Sequence, residues 1–358
     1  MADFKAFLKR KNIEISAKRY GVDALGAMAQ GLFCSLLIGT IIKTLGQQLN
    51  IALLVDIGQY AFDMAGPAMA VAIGYALRCD PMVLFSLVAV GWAANKEGGA
   101  GGPLAVLLIA IIAGECGKMV SKETKIDILV TPAVTILVGV ALAKWIAPPI
   151  GAGAMKVGDF IMWATDLQPF WMGILVSVTV GIALTLPISS AAICASLGLV
   201  GLAGGAAVAG CCAQMVGFAV MSFRENRWGG LISQGLGTSM LQMPNIVRNP
   251  LIWIPPTLAS AITGPIATCV FKMQMNGAPV SSGMGTCGLV GQIGVWTGWV
   301  APGEKALAMG AQAIVPGAFE WTGMLLICFI LPAVLSWLIC LGCRRLGWIK
   351  ENDLKLDR

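Results

Sequence analysis

The chain contains no histidine. That removes an imidazole base, an imidazole metal ligand and a phosphohistidine from its chemistry. Charge is the second shortage. Asp, Glu, Lys and Arg make up 12% of the 358 residues, against about 25% in a soluble domain. So few charges cannot cover the surface of a water-exposed globule of this length. Spaced cysteine motifs are also missing. The eleven cysteines sit mainly inside apolar runs, as Cys34, Cys194, Cys269, Cys328 and Cys340 do, where a thiol behaves as a small hydrophobe. Cys211 and Cys212 are adjacent, without zinc or redox spacing. No metal and no cofactor are expected, and without clustered acids or thiols at catalytic spacing the chain does not read as an enzyme.

What is present is apolar. Hydrophobic residues make up 57% of the chain and the mean hydropathy is +0.82. Runs at 24–45, 128–146, 170–186 and 321–343 are the clearest of those long enough for a hydrocarbon core of about 30 Å. The 45 glycines suit helices that pack closely and helices that are broken. The net charge of +6 lies at the two ends: residues 1–19 carry +4 and residues 344–358 carry +2. By the positive-inside rule both ends are expected in the cytoplasm of a bacterial inner-membrane protein, with an even number of crossings. A basic stripe for nucleic acid is the competing reading, but no soluble domain accompanies it. Charge persists to Arg19 with no small-residue cleavage site after it, so the start does not read as a signal peptide. Phe4, Phe7 and Leu8 among the basic residues suggest either an amphipathic helix on the anionic leaflet or a polar tail. The expected organisation is a basic segment over 1–22, a membrane domain over 23–343 and a basic tail over 344–358.

Apolar runs between breakers predict about ten transmembrane helices in an all-α polytopic fold: 24–46, 53–77, 82–95, 103–119, 128–147, 170–187, 190–208, 206–223, 250–272 and 319–342. Two further apolar stretches, 229–247 and 284–316, are rich in Gly and Pro and read as re-entrant or unwound segments. Irregular backbone at membrane depth survives where it is buried in protein or lines a cavity. A repeat is visible. Pro187-Ile-Ser-Ser-Ala leads to Gly198-Leu-Val-Gly, and Pro279-Val-Ser-Ser-Gly leads to Gly288-Leu-Val-Gly, two residues sooner. Three expected crossings separate the two prolines, which would invert the copies. Inverted broken-helix repeats point to a transporter's solute site; chance similarity in small-residue membrane sequence is the other reading. Gly235-Leu-Gly-Thr and Gly283-Met-Gly-Thr form a fainter echo. Gly283-Met-Gly-Thr-Cys-Gly also matches a dinucleotide pattern, without the strand and helix that would give it meaning.

Several polar residues in this apolar body are candidates for binding a solute. Ser189, Ser190, Ser281 and Ser282 follow helix-breaking prolines, where their hydroxyls either bind solute or cap helices. Gln242-Met-Pro-Asn-Ile-Val-Arg-Asn-Pro250 is the most polar embedded stretch. There Asn245 and Asn249 offer amides for hydroxyls and Arg248 a fork for an anion, or the segment is a cytoplasmic loop. Glu115 and Glu320 are the acids most embedded in apolar sequence. Glu115 is also placed for an i, i+3 ion pair with Lys118, and Glu320 for a helix start. Gln214 and Gln292 are weaker candidates. Arg224-Glu-Asn-Arg-Trp228 reads as a solvated turn or a docking site for a cytoplasmic partner.

The glycine-rich body and its broken segments resemble the EIIC-like membrane proteins of the bacterial phosphotransferase system, in the group of perfringolysin-regulator-like proteins. Residues 186–192, 237–250 and 276–283 carry the likeness, which runs over most of 20–345. The resemblance implies a homodimeric subunit in the lipid bilayer that moves a sugar-like solute. Any phosphotransfer would need separate cytoplasmic phosphotransferase subunits, since this chain has no histidine. The expected function is an alternating-access transporter for a small polar solute. The alternative is a membrane-embedded sensor or regulator that binds the solute without moving it.

Overall fold

The computed structural model describes residues 2–356, which are mostly helical. Among the described residues there is no β-strand, only an isolated bridge between Gly201 and Met275. Six helical runs are long and apolar enough to cross a membrane, and two apolar helices are shorter. The chain forms two compact units, Met1–Gly153 and Ala154–Arg358.

The first unit starts with α1 (Ala2–Arg10), α2 (Arg19–Leu49), α3 (Ala52–Asp63) and α4 (Ala65–Ala76). Then come α5 (Pro81–Gly98), α6 (Gly102–Val120) and the start of α7 (Asp127–Thr165). Asn50, with a left-handed φ of 55°, ends α2. α3 then runs back along α2, so Gly58 meets Gly39 and Val55 meets Gly46. The run Pro81–Val120 likewise doubles back at Gly99–Gly102: α5 and α6 pair Asn95 with Gly102 and Val83 with Gly117. The approach of α4 to α5 requires glycine, because a Cβ on Gly66 would lie 2.3 Å from the Gly91 carbonyl oxygen. Small residues let membrane helices pack backbone to backbone, where apolar burial gives no driving force. Three side chains of α7, Leu129, Leu137 and Trp145, are each at least 67% exposed, as on a helix that faces lipid.

A cluster of charged groups in this unit gathers at one helix end. α4 stops at Leu77, because Arg78 turns left-handed at a φ of 56° and the Leu77 carbonyl is left outside the helical ladder. Orphan carbonyls at a helix end attract donors and cations. Here Arg19 Nη2 and Lys118 Nζ both donate to the Leu77 oxygen, at 2.6 and 3.1 Å. Lys118 also pairs with Glu115 at 2.7 Å and donates to the Asn12 carbonyl at 2.8 Å. The Tyr20 hydroxyl donates to Glu115 at 3.1 Å. Arg10 and Lys11 reach Glu123, and Lys11 also donates to the Ser121 carbonyl.

The second unit contains α8 (Pro169–Thr185), α9 (Ser190–Leu197), α10 (Gly201–Met221), α11 (Phe223–Ile232) and α12 (Met243–Arg248). α13 (Pro250–Val270), α14 (Val290–Val300), α15 (Glu304–Ala308) and α16 (Ala318–Arg345) follow. α8 and α10 run parallel, since Ser177 meets Gly210 and Thr185 meets Gln214. A Cβ on Gly210 would lie only 1.8 Å from the Ser177 oxygen, so this crossing also depends on glycine. α13 lies antiparallel to both, with the Ser177 hydroxyl on the Ser260 carbonyl and the Ser260 hydroxyl on the Gly210 carbonyl.

Because α8 and α10 are parallel, the chain between them must return along their length. It does so through the short α9 and extended flanks, not through the helix expected over 190–208. The break follows from Gly198-Leu-Val-Gly201, where both glycines take left-handed φ, 58° and 69°. The stretches at 229–247 and 284–316 are broken into short helices and extended chain, as their Gly and Pro content predicts.

Candidate functional site

The two Ser-Ser segments come together in the second unit. Ser189 caps α9, accepting the amide of Ala192 at 3.2 Å. Ser190 Oγ donates to the Gly283 carbonyl at 2.8 Å, and Ser282 Oγ donates to the Leu199 carbonyl at 2.7 Å. The second serine of each copy thus bonds the main chain of the other copy. A Cβ on Gly283 would lie 2.5 Å from the Ser190 carbonyl oxygen, so the two segments touch through backbone. Ser281 is buried against Gly294 of α14. The fainter echo also makes contact, through the Thr286 hydroxyl on the Gly235 carbonyl.

Beside this junction lies a cleft of about 500 Å³, within the range of small-molecule sites. Its buried polar wall is Asn276, three residues before Pro279, whose amide donates to Gln274 at 2.9 Å. Gly298 of α14 packs on the Asn276–Gly277 backbone, and Gly303 N donates to the Asn276 carbonyl at 2.8 Å. Phe271 and Phe319 meet at a tilt of 37° with ring centres 5.2 Å apart, and Trp299 meets Trp321 edge-on at 5.3 Å. Gln274, Gln312 and Lys272 add polar groups at exposed positions. The cleft therefore offers amide donors and acceptors next to flat apolar rings, a set that suits hydroxyls and C–H faces together.

The residues named from the sequence divide among several settings. Glu320 lines the cleft, and its Oε2 accepts the Gly317 amide at 2.8 Å in the first turn of α16. Gln292 is buried, donates to Cys212 at 3.2 Å and keeps its own carbonyl oxygen without a partner. Gln214 is fully buried among Thr185, Thr257 and the Trp253 indole, where it joins α8, α10 and α13. Glu115 belongs to the first unit, paired with Lys118. Asn245 and Asn249 donate to the carboxy-terminal tail, at the carbonyls of Lys355 and Trp348, and Arg248 donates to Asn245. The sequence reading passed over Asn276, Trp299 and the Phe271–Phe319 pair. Asn276 did stand in a segment already singled out; the aromatic residues had no signal beyond their type. Among the described residues no group of three or more acids or cysteines is placed to hold a metal ion.

No curated protein and no solved structure matches the chain. Residues 22–356 match the sequence model of a family described as phosphotransferase system, EIIC, whose members are membrane permease components for sugars and are not catalytic on their own. With nearly its whole length matched, the chain belongs to the EIIC family of the phosphotransferase system and is a multi-pass membrane component of sugar transport.

Proposed function

We propose that the chain moves a neutral sugar or sugar-like polyol across the bacterial inner membrane by alternating access, with the cleft as its solute site. The observation that carries this reading is the combination of Asn276, Gln274 and Gln312 with the rings of Phe271, Trp299 and Phe319 in one cavity. Amides satisfy sugar hydroxyls without a net charge, and aromatic faces cover the apolar side of the ring. Glu320 adds a carboxylate at the rim. Ser190, Ser281 and Ser282 fix the segment that presents Asn276, and Gln292, buried against Cys212, keeps a spare acceptor. In this reading the Ser-Ser copies form an inverted repeat, about ten crossings place both basic ends in the cytoplasm, and two copies form a dimer. Separate cytoplasmic subunits would phosphorylate the solute.

The test is counterflow uptake in proteoliposomes of the purified chain, with labelled sugars, polyols and their acidic analogues. Uptake of a neutral member is expected. Asn276→Ala and Trp299→Ala should each lower it about tenfold, as expected when a buried hydrogen bond or its packing surface is lost. Wild-type uptake by both variants would rule out the cleft. Absence of uptake together with thermal stabilisation by one of these solutes would favour the sensor.

A further inference from the structure

Past the end of α16, the tail turns back at Gly347, which has a left-handed φ of 72°. It then lies against the segment 222–249 in the same unit. The contact is made largely by side-chain amides on tail backbone, with one further bond from Asn249 to the Asp353 carboxylate at 2.8 Å. Asn226 Nδ2 donates to the Leu354 carbonyl at 2.7 Å while its Oδ1 accepts the Leu356 amide at 2.9 Å. Gln242 donates to the same Leu354 carbonyl at 3.0 Å, Asn245 to Lys355 at 2.9 Å and Asn249 to Trp348 at 2.9 Å. Only two tail side chains, Ile349 and Leu354, are among the buried apolar residues.

The receiving surface is also tied together by bonds that do not involve the tail. Each primary amide has two N–H donors, and the relay uses one from each member. Asn245 donates to Gln242, Gln242 to Gln234, and Gln234 to Ser222, at 2.8, 2.8 and 2.9 Å. Arg248 donates into the start of this relay at Asn245. The second N–H of Gln242 and of Asn245 is the one that points to the tail. The tail itself is a succession of turns, and the row of amides with an apolar pocket for one leucine divides the work as peptide recognition does: main-chain bonds give affinity and a side-chain pocket gives register.

We infer that the segment 222–249 is a peptide-binding groove whose resident ligand is the chain's own tail, residues 346–356, held as a detachable strap. The strap reaches the Ser-Ser junction through one further link. Gln234 of the relay precedes Gly235, whose carbonyl takes the Thr286 hydroxyl from the loop after the second Ser-Ser copy. Release of the strap frees the groove for a peptide in trans and loosens the 284–291 loop.

Hydrogen exchange by mass spectrometry on the full chain tests this without reference to any solute. In Leu354→Asp, exchange over 226–249 and 284–291 should rise at least roughly tenfold, because local opening there no longer has to break the strap contacts. α10 and the 254–265 part of α13 should keep their protection. A synthetic peptide of residues 346–356, added to this variant, should restore protection in a saturable manner, whereas a scrambled peptide should not. Asn226→Ala provides a milder version of the same release. Unchanged exchange over 226–249 in both variants would overturn the groove. Failure of the peptide to restore it, or loss of protection throughout α10, would make the tail an ordinary part of the core. Faster exchange confined to 226–249 would overturn the link to the 284–291 loop.

Discussion

At the amino-terminal end, Arg10 and Lys11 reach Glu123, and Arg19 and Lys118 converge on the carbonyl that ends α4. At the carboxy-terminal end, the tail is taken by carboxamides instead. Both arrangements hold a chain end against its own unit, but their physics differs. A buried cation must be matched by a carboxylate or carbonyl, and removing one partner strands the other. The amide row holds the tail mainly by neutral bonds to main-chain carbonyls, each worth little alone, with one bond from Asn249 to the Asp353 carboxylate at 2.8 Å. The first design is strong and sensitive to conditions; the second is weaker and, apart from the bonds to Asp353, less sensitive to them.

The largest expected effect comes from removing the charge at the centre of the first design. Lys118→Met leaves Glu115 buried without its ion-pair partner and the Leu77 and Asn12 carbonyls each with one donor fewer. The expected cost is about 3–5 kcal/mol, read as a lower thermal midpoint in detergent micelles. The corresponding change at the other end, Asn226→Ala, leaves the Leu356 amide without this acceptor and should cost about 1–3 kcal/mol. Because that energy holds a strap and not a core, the exchange of the tail amides should change far more than the global midpoint.

Acid should separate the two ends further. Hydrogen bonds from Lys122 and then Ser121 hold the Asp80 carboxyl below its usual value near 3.8, and the Lys11 hydrogen bond, with Arg10, holds Glu123 below 4.5. Both carboxylates are more acidic folded than unfolded, so their contribution is complete above the unfolded values and is lost as pH falls through the folded ones. Exchange of residues 10–13 and 119–124 should therefore quicken below pH 3.8, while protection by the amide relay holds. Equal acid sensitivity at both ends would erase the contrast. Salt should give the smallest effect. The Arg10–Glu123 pair is exposed, at 63% and 36% of its side-chain surfaces. Raising ionic strength from about 0.1 to about 1 M shortens the screening length from about 10 to about 3 Å and should weaken only this end.

Much of the helical membrane architecture was legible because it depends on local composition. The long apolar runs and the Gly-Pro breaks mark helices and interruptions wherever the chain folds. The contribution of the Ser-Ser motifs was legible in part. Their prolines and glycines announced broken segments, but a hydroxyl's partner cannot be read from its neighbours. Ser190 could as well have faced a cavity as the Gly283 carbonyl. The stretch 242–249 shows the same limit. Its polarity was conspicuous, and polarity within an apolar body can serve a solute, a loop or another part of the chain. The tail lies about a hundred residues further on, and only folding brings the two together.

Composition alone settled that this chain lives in a bilayer, because a chain with so few charges has no means of covering itself in water. Glycine and proline marked several of the places where its helices break, because the φ they allow or forbid is a local property, although Asn50 and Arg78 end helices as well. Tertiary structure decided which polar groups are satisfied by the protein and which face an open cleft. A hydrogen bond is formed between atoms close in space, and Ser190 with Gly283, Asn226 with Leu354, or Asn276 with the rings of α14 and α16 become neighbours only when the helices have packed.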